Sequence, residues 1–144
     1  MHRDNSEKTN IPDNETLYND IKTIAEGYGY SDETGTGFTK INNIINDAFE
    51  KYNYDGKGSS IYVWDFNTVK KEIDAGNPLL FNIAFGYYED HTVTVIGYSE
   101  FSRGTGIFKE TKKFIKVYDG WTNSNRYIDY DLINFGSFTT ARFN

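Results

Sequence analysis

His91-Thr-Val-Thr-Val-Ile-Gly-Tyr98 and Phe114-Ile-Lys-Val-Tyr-Asp-Gly-Trp121 decide how this chain is to be read. The strands they mark, His91–Tyr98 and Lys113–Tyr118, are rich in β-branched and aromatic residues and bounded by turn formers. A polar loop with Gly104-Thr105-Gly106 at its middle joins them. An antiparallel hairpin folding about Thr105 sets Val95 opposite Ile115, Val93 opposite Val117 and His91 opposite Asp119. Side chains alternate along a strand with period two, so all six share one face. The four apolar residues then bury, and an imidazole and a carboxylate meet at the open end. A bulge would move this register by a residue.

An aspartate that accepts a hydrogen bond from one imidazole nitrogen sets the tautomer and raises the basicity of the other. That is the orienting half of a nucleophile–base–orienter arrangement. Trp121, two residues beyond Asp119, is placed to shield the pair from water. The aromatic turn Gly86-Tyr-Tyr-Glu-Asp90 precedes His91 and offers Tyr87 and Tyr88 to the same neighbourhood. Taken alone, each residue also has a structural reading. A single histidine at a strand start is commonly a satisfied surface residue, Asp119-Gly120 is a common turn, and tryptophan usually packs a core.

Outward from this hairpin, the N-terminal half reads as helical. Residues 1–13 are polar and read as a disordered leader. Asp13 or Asn14 caps a helix with Leu17, Ile21 and Ile24 on one face and Gly27 as its stop. A second helix over Phe38–Tyr52 carries Ile41, Ile44, Ile45, Ala48, Phe49 and Tyr52 at helical spacing. A short strand is expected at Ser60–Trp64 and a short helix at Asn67–Ala75, ended by Gly76. After Pro78 the chain reads as sheet, with further strands at Leu79–Ala84, Arg126–Tyr130 and Phe138–Phe143. Helices first and antiparallel strands afterwards is an α+β order. One domain is expected over 14–144, helical over 14–76 and mainly β over 77–144.

Composition removes several function classes. The net charge of −6 argues against a nucleic-acid binder, which presents a basic face. No apolar run is long enough to span a membrane, and the polar start carries no signal-peptide pattern. With no cysteine there is no disulfide, thiolate ligand or thiol nucleophile. The only internal histidine is His91, and scattered carboxylates such as Asp55, Asp65 and Asp119 give no metal-ligand spacing, so neither metal nor cofactor is expected. Gly104-Thr-Gly106 lacks the lysine and the strand–helix frame of a phosphate loop. Ser31, Ser59 and Ser60 fall in loop or turn settings that would not activate a hydroxyl.

The run Gly76-Asn-Pro-Leu-Leu-Phe-Asn-Ile, followed by Asp90-His-Thr-Val-Thr-Val-Ile-Gly-Tyr98 and Phe114-Ile-Lys-Val-Tyr-Asp-Gly-Trp121, resembles the C39-like branch of the papain-like cysteine peptidases. The resemblance covers about Asn67–Tyr130, with Tyr127–Asp131 similar to the family's next strand. It implies a papain-like fold, N-terminal helices on an antiparallel sheet, with His91 as general base, Asp119 as its orienter and Trp121 as a covering aromatic. Tyr87, Tyr88 and Trp121 would line the cleft for a polypeptide substrate. The family also carries a nucleophilic cysteine at a helix start, with a glutamine shortly before it, and this sequence holds neither residue type. The resemblance therefore implies a peptidase domain seen without its nucleophile helix and inactive alone, either a portion of a longer enzyme or a pseudo-peptidase. A non-catalytic polypeptide-binding or immunity-type module is the alternative. A bacterial, secreted or cell-surface protein is implied too, and the uncovered apolar surface leads us to expect self-association.

Overall fold

The computed structural model describes residues 11–84, 88, 90–133 and 135–143. Residues 1–10 of the expected leader, and Tyr87, lie outside the described residues. Two compact units divide the chain: one runs up to Gly58 and takes back the C-terminal end, and the other is Ser59–Arg142.

In the first unit, α1 (Asn14–Gly27) and α2 (Ile41–Lys51) pack together. Asp13 caps α1 by accepting the Thr16 N–H at 2.9 Å. Polar clamps join the two helices: the Tyr28 hydroxyl donates to Asp47 at 2.7 Å, and the Tyr52 hydroxyl to Asp20 at 2.5 Å. The first three residues of the expected second helix, Phe38–Lys40, form a 3-10 turn that leads into α2.

The remaining elements are β1 (Gly56–Ile61), α3 (Phe66–Asp74), β2 (Leu79–Ile83), β3 (His91–Arg103), β4 (Glu110–Tyr118), β5 (Arg126–Asp129) and β6 (Gly136–Phe143). Among the described residues the strands form one six-stranded antiparallel sheet in the order β1-β6-β2-β3-β4-β5. The architecture is α+β. β1 starts four residues before the expected Ser60 and ends before Trp64. The cause is local at both ends. Asn46 brackets Gly58, accepting its N–H at 2.8 Å, and a Cβ on Gly58 would lie 2.8 Å from Asn42 O. Trp64 instead turns inward and donates its indole N–H to Gly136 O at 3.1 Å.

α3 is held at its start by a reciprocal cap, Asp65 accepting from Thr68 N–H while the Thr68 hydroxyl receives the Asp65 N–H. Its inward residues Phe66 and Val69 lie on a core of Leu79, Phe81, Ile83, Val93, Val95, Ile115, Val117 and Phe138. Alternation along β2, β3 and β4 puts these residues on one sheet face, as expected for the β3–β4 hairpin. At the other end of α3, the Tyr98 hydroxyl donates to Asp74 at 2.8 Å. Glu72 is buried and accepts two hydrogen bonds from Arg142 of β6, tying the helix to the sheet.

The hairpin register differs from the expected one. Val95 faces Val117, Gly97 faces Lys116 and Tyr98 faces Ile115, with a bulge between Val95 and Gly97. Both arms also run further into the polar loop than a hydrophobic pattern indicates. Pairing continues through Ser102 and Thr111 to Arg103 and Glu110, held by a hydroxyl–hydroxyl contact of 2.9 Å and an ion pair. Those polar cross-strand pairs move the turn towards Gly106, and the extra residue Ile96 absorbs the offset.

Candidate functional site

At the open end of the sheet, β3 begins with His91, paired to Ile83 of β2. Its N–H donates to Tyr88 O at 2.9 Å, closing a tight turn in which Asp90 adopts φ 53°, a left-handed conformation that aspartate tolerates better than most residues. Beside it, the Thr92 hydroxyl donates to Asn82 Oδ1 at 2.8 Å and Asn82 Nδ2 donates to the Ser137 hydroxyl at 3.0 Å. Three strands are thereby locked together where the imidazole emerges. Register slip of His91 would break this buried polar chain.

β4 ends at Tyr118 and delivers Asp119, whose side chain is 1% exposed as a residue and lies inside the turn that follows. Oδ1 accepts the Trp121 N–H at 3.0 Å and the Thr122 N–H at 3.2 Å, an aspartate-closed turn. Gly120 sits at φ 75°, the left-handed region that makes glycine the natural residue there. Oδ2 accepts the Tyr88 hydroxyl at 3.1 Å. Arg126 of β5 brings its Nε to 2.8 Å from Oδ2, an ion pair whose N–H does not lie on a hydrogen-bond line.

The structure brings His91, Asp119, Trp121 and Tyr88 together. The link between His91 and Asp119, however, runs through the main chain: His91 Nε2 lies 2.5 Å from Asp119 O. A carbonyl oxygen can only accept, so Nε2 carries the proton and Nδ1 holds the lone pair in the neutral ring. The expected carboxylate partner is instead occupied by Tyr88, Arg126 and the turn. With Val95 opposite Val117, Asp119 falls short of the strand position facing His91, and the chain turn brings its carbonyl to the ring.

Trp121 stacks on the imidazole at 4.4 Å between centroids and 27° between planes, and remains 53% exposed. Tyr88 lies 5.2 Å from Trp121 and 6.0 Å from His91, so the three rings form one cluster. Arg126 and the Tyr88 hydroxyl are the participants that the sequence reading missed. A second round of hairpin pairing could have found Arg126, because β5 pairs with β4 so that Arg126 faces Val117, two residues before Asp119.

Burial alone drives the Asp119 carboxyl upward, yet the Trp121 N–H, the Tyr88 hydroxyl, the Thr122 N–H and the Arg126 charge together outweigh it and hold the group below its ordinary range. Glu72 is likewise held low, chiefly by the Arg142 hydrogen bonds against the effect of burial. For a carboxyl whose folded pKa is depressed, the stabilisation is present above the unfolded value and lost as pH falls through the folded one. With ordinary values of 3.8 for Asp119 and 4.5 for Glu72, the thermal midpoint is expected to hold above about pH 5 and to fall steadily below pH 4.5. A midpoint unchanged down to about pH 3 would contradict the paired state of both groups.

Among the described residues no three histidine, cysteine, aspartate or glutamate side chains assemble as metal ligands, and no helix is long and apolar enough to cross a membrane. No curated protein and no solved structure matches this chain. A family model does: that of the Peptidase_C39 like family matches residues 5–142. Matched over nearly its whole length, and with no cysteine anywhere in its sequence, this chain belongs to the peptidase C39-like family.

Proposed function

We propose that this chain carries the base-and-orienter half of a papain-like peptidase site and uses it to bind polypeptide without cutting it. The observation that carries the reading is the hydrogen bond from His91 Nε2 to Asp119 O. It leaves Nδ1 as the nitrogen that would take a proton from a nucleophile and later return it to a leaving amine. Asp119 is the orienter, acting through its carbonyl, while its carboxylate shapes the turn. Tyr88 and Trp121 supply aromatic surface at the cleft, and the exposed Trp121 face is the natural contact for a polypeptide chain.

Peptide-bond cleavage of this type needs a thiolate to attack the carbonyl carbon, and the sequence contains no cysteine. On this reading the general base has nothing to activate. The pure chain is expected to show no turnover of a fluorescently labelled, unfolded protein. Robust cleavage that disappears in His91→Ala would overturn the proposal. Binding of the same unfolded protein, followed by fluorescence anisotropy, is expected to weaken at least about tenfold in Trp121→Ala. Equal affinity in the two proteins would remove the cleft from the binding role.

A further inference from the structure

We infer that Arg126 and Tyr88 are positioning residues for His91, acting through Asp119 to hold the imidazole in its Nε2–H tautomer. The inference rests on the reading of His91 as a base and extends it to groups that never touch a reacting atom. The acceptor of the Nε2 proton is a main-chain carbonyl at the start of a glycine-containing turn. A turn of that kind holds its carbonyl still only if something fixes the residue that bears it. Here the fixing is done from the side chain of the same residue. Oδ1 gathers the N–H groups of Trp121 and Thr122, which sets the curvature of the turn. Oδ2 is gripped from two other elements, by the Tyr88 hydroxyl ahead of β3 and by the Arg126 guanidinium at the start of β5.

Tyr88 acts at both ends of this linkage. Its hydroxyl holds Asp119, its carbonyl accepts the His91 N–H, and its ring stacks against the imidazole at 18°. Arg126 adds the only charge opposite the Asp119 carboxylate among the ion pairs of the described residues. Its Nε is buried and finds no hydrogen-bond acceptor in line, so its stabilising partner is the carboxylate charge itself. Loss of either group removes one of the two holds on Oδ2, loosens the turn and lets the Asp119 carbonyl leave Nε2 for part of the time. The neutral ring is then able to place its proton on Nδ1, which removes the base from the cleft side.

The test reads the tautomer directly from the ¹⁵N shifts of the imidazole in the full chain, with His2→Ala introduced so that His91 is the sole histidine. With the ring neutral, His91 in the otherwise unaltered chain is expected to give the single pattern of the Nε2–H form. Arg126→Met and Tyr88→Phe are each expected to move it to the averaged shifts of two exchanging tautomers, and Arg126→Lys, which keeps the charge, is expected to recover most of the original pattern. Should Arg126→Met fail to fold, Tyr88→Phe, which removes one hydroxyl and keeps the ring, decides the matter. If the unaltered chain shows the Nδ1–H form, the base reading of His91 itself falls. If it shows Nε2–H and neither variant changes it, only the positioning role falls.

Discussion

Asp119→Ala is expected to lower the thermal midpoint more than His91→Ala does, whereas Asp119→Asn should fall between them and give His91 the averaged tautomer pattern expected of Arg126→Met. The order follows from which Asp119 atoms do what. Alanine removes both carboxylate oxygens and so takes that acceptor from the Tyr88 hydroxyl, the buried Arg126 Nε and the turn N–H groups of Trp121 and Thr122. Buried donors that lose their acceptor bear the full cost of desolvation, and a charge that loses its counter-charge costs more. His91 loses only a ring at the rim and one hydrogen bond. Asparagine keeps an oxygen for the two turn N–H groups. Its amide nitrogen then meets Tyr88, whose hydroxyl can rotate to accept, and Arg126, which cannot.

The tautomer is the sharper readout. An orienter that works through its carboxylate loses the correct tautomer when it becomes asparagine. An orienter that works through its main-chain carbonyl keeps its acceptor atom and loses only the Arg126 hold on the turn, so the two tautomers average rather than switch. Thermal unfolding by circular dichroism and imidazole ¹⁵N shifts on the same samples measure both. An Asp119→Asn protein switched wholly to the opposite tautomer would mean that the carboxylate, not the carbonyl, is the partner of His91 in solution.

Phe81→Ala is the second large effect, an expected loss of about 3–5 kcal/mol. Phe81 has no exposed surface and sits at the centre of β2. It stacks on Phe138 at 4.5 Å and meets the edge of Trp64 at 5.7 Å. The strand beside it cannot close the resulting void. Gly136 already lies so near the ring that a Cβ there would come within 2.5 Å of Phe81 Cε2, and the sheet pairing of Ile83 with Gly136 fixes that strand's distance. Domains of this size are commonly stable by about 5–15 kcal/mol, so this one substitution removes a large share of the total. Urea unfolding should show a lower midpoint with an unchanged slope. A loss under about 1.5 kcal/mol would mean that the neighbouring rings collapse into the space, against the packing described.

Much of this arrangement was legible in the residues. The helical spacing of Ile41, Ile44, Ile45 and Ala48 marked α2, and Asp13 marked the start of α1. Alternation in His91–Tyr98 and Phe114–Trp121 placed Val93, Val95, Ile115 and Val117 on one buried face, with His91 and Asp119 at the same end. These features come from covalent geometry, the 3.6-residue turn of a helix and the two-residue repeat of a strand, which every chain obeys locally. The same reasoning survives an error of register, because a shift by two residues leaves each side chain on its face.

The pairing itself was decided only in three dimensions. The polar partners Ser102–Thr111 and Arg103–Glu110 extend the hairpin beyond its apolar stretch, and the bulge at Ile96 reconciles that extension with the buried residues. Neither outcome has a local signal, since each is a compromise between contacts on two strands. The choice between the carbonyl and the carboxylate of Asp119 is of the same kind. The residue's identity established that an acceptor would stand near His91. Which oxygen serves was determined by Tyr88 and Arg126, which arrive from 31 positions earlier and from the next strand and occupy the carboxylate first.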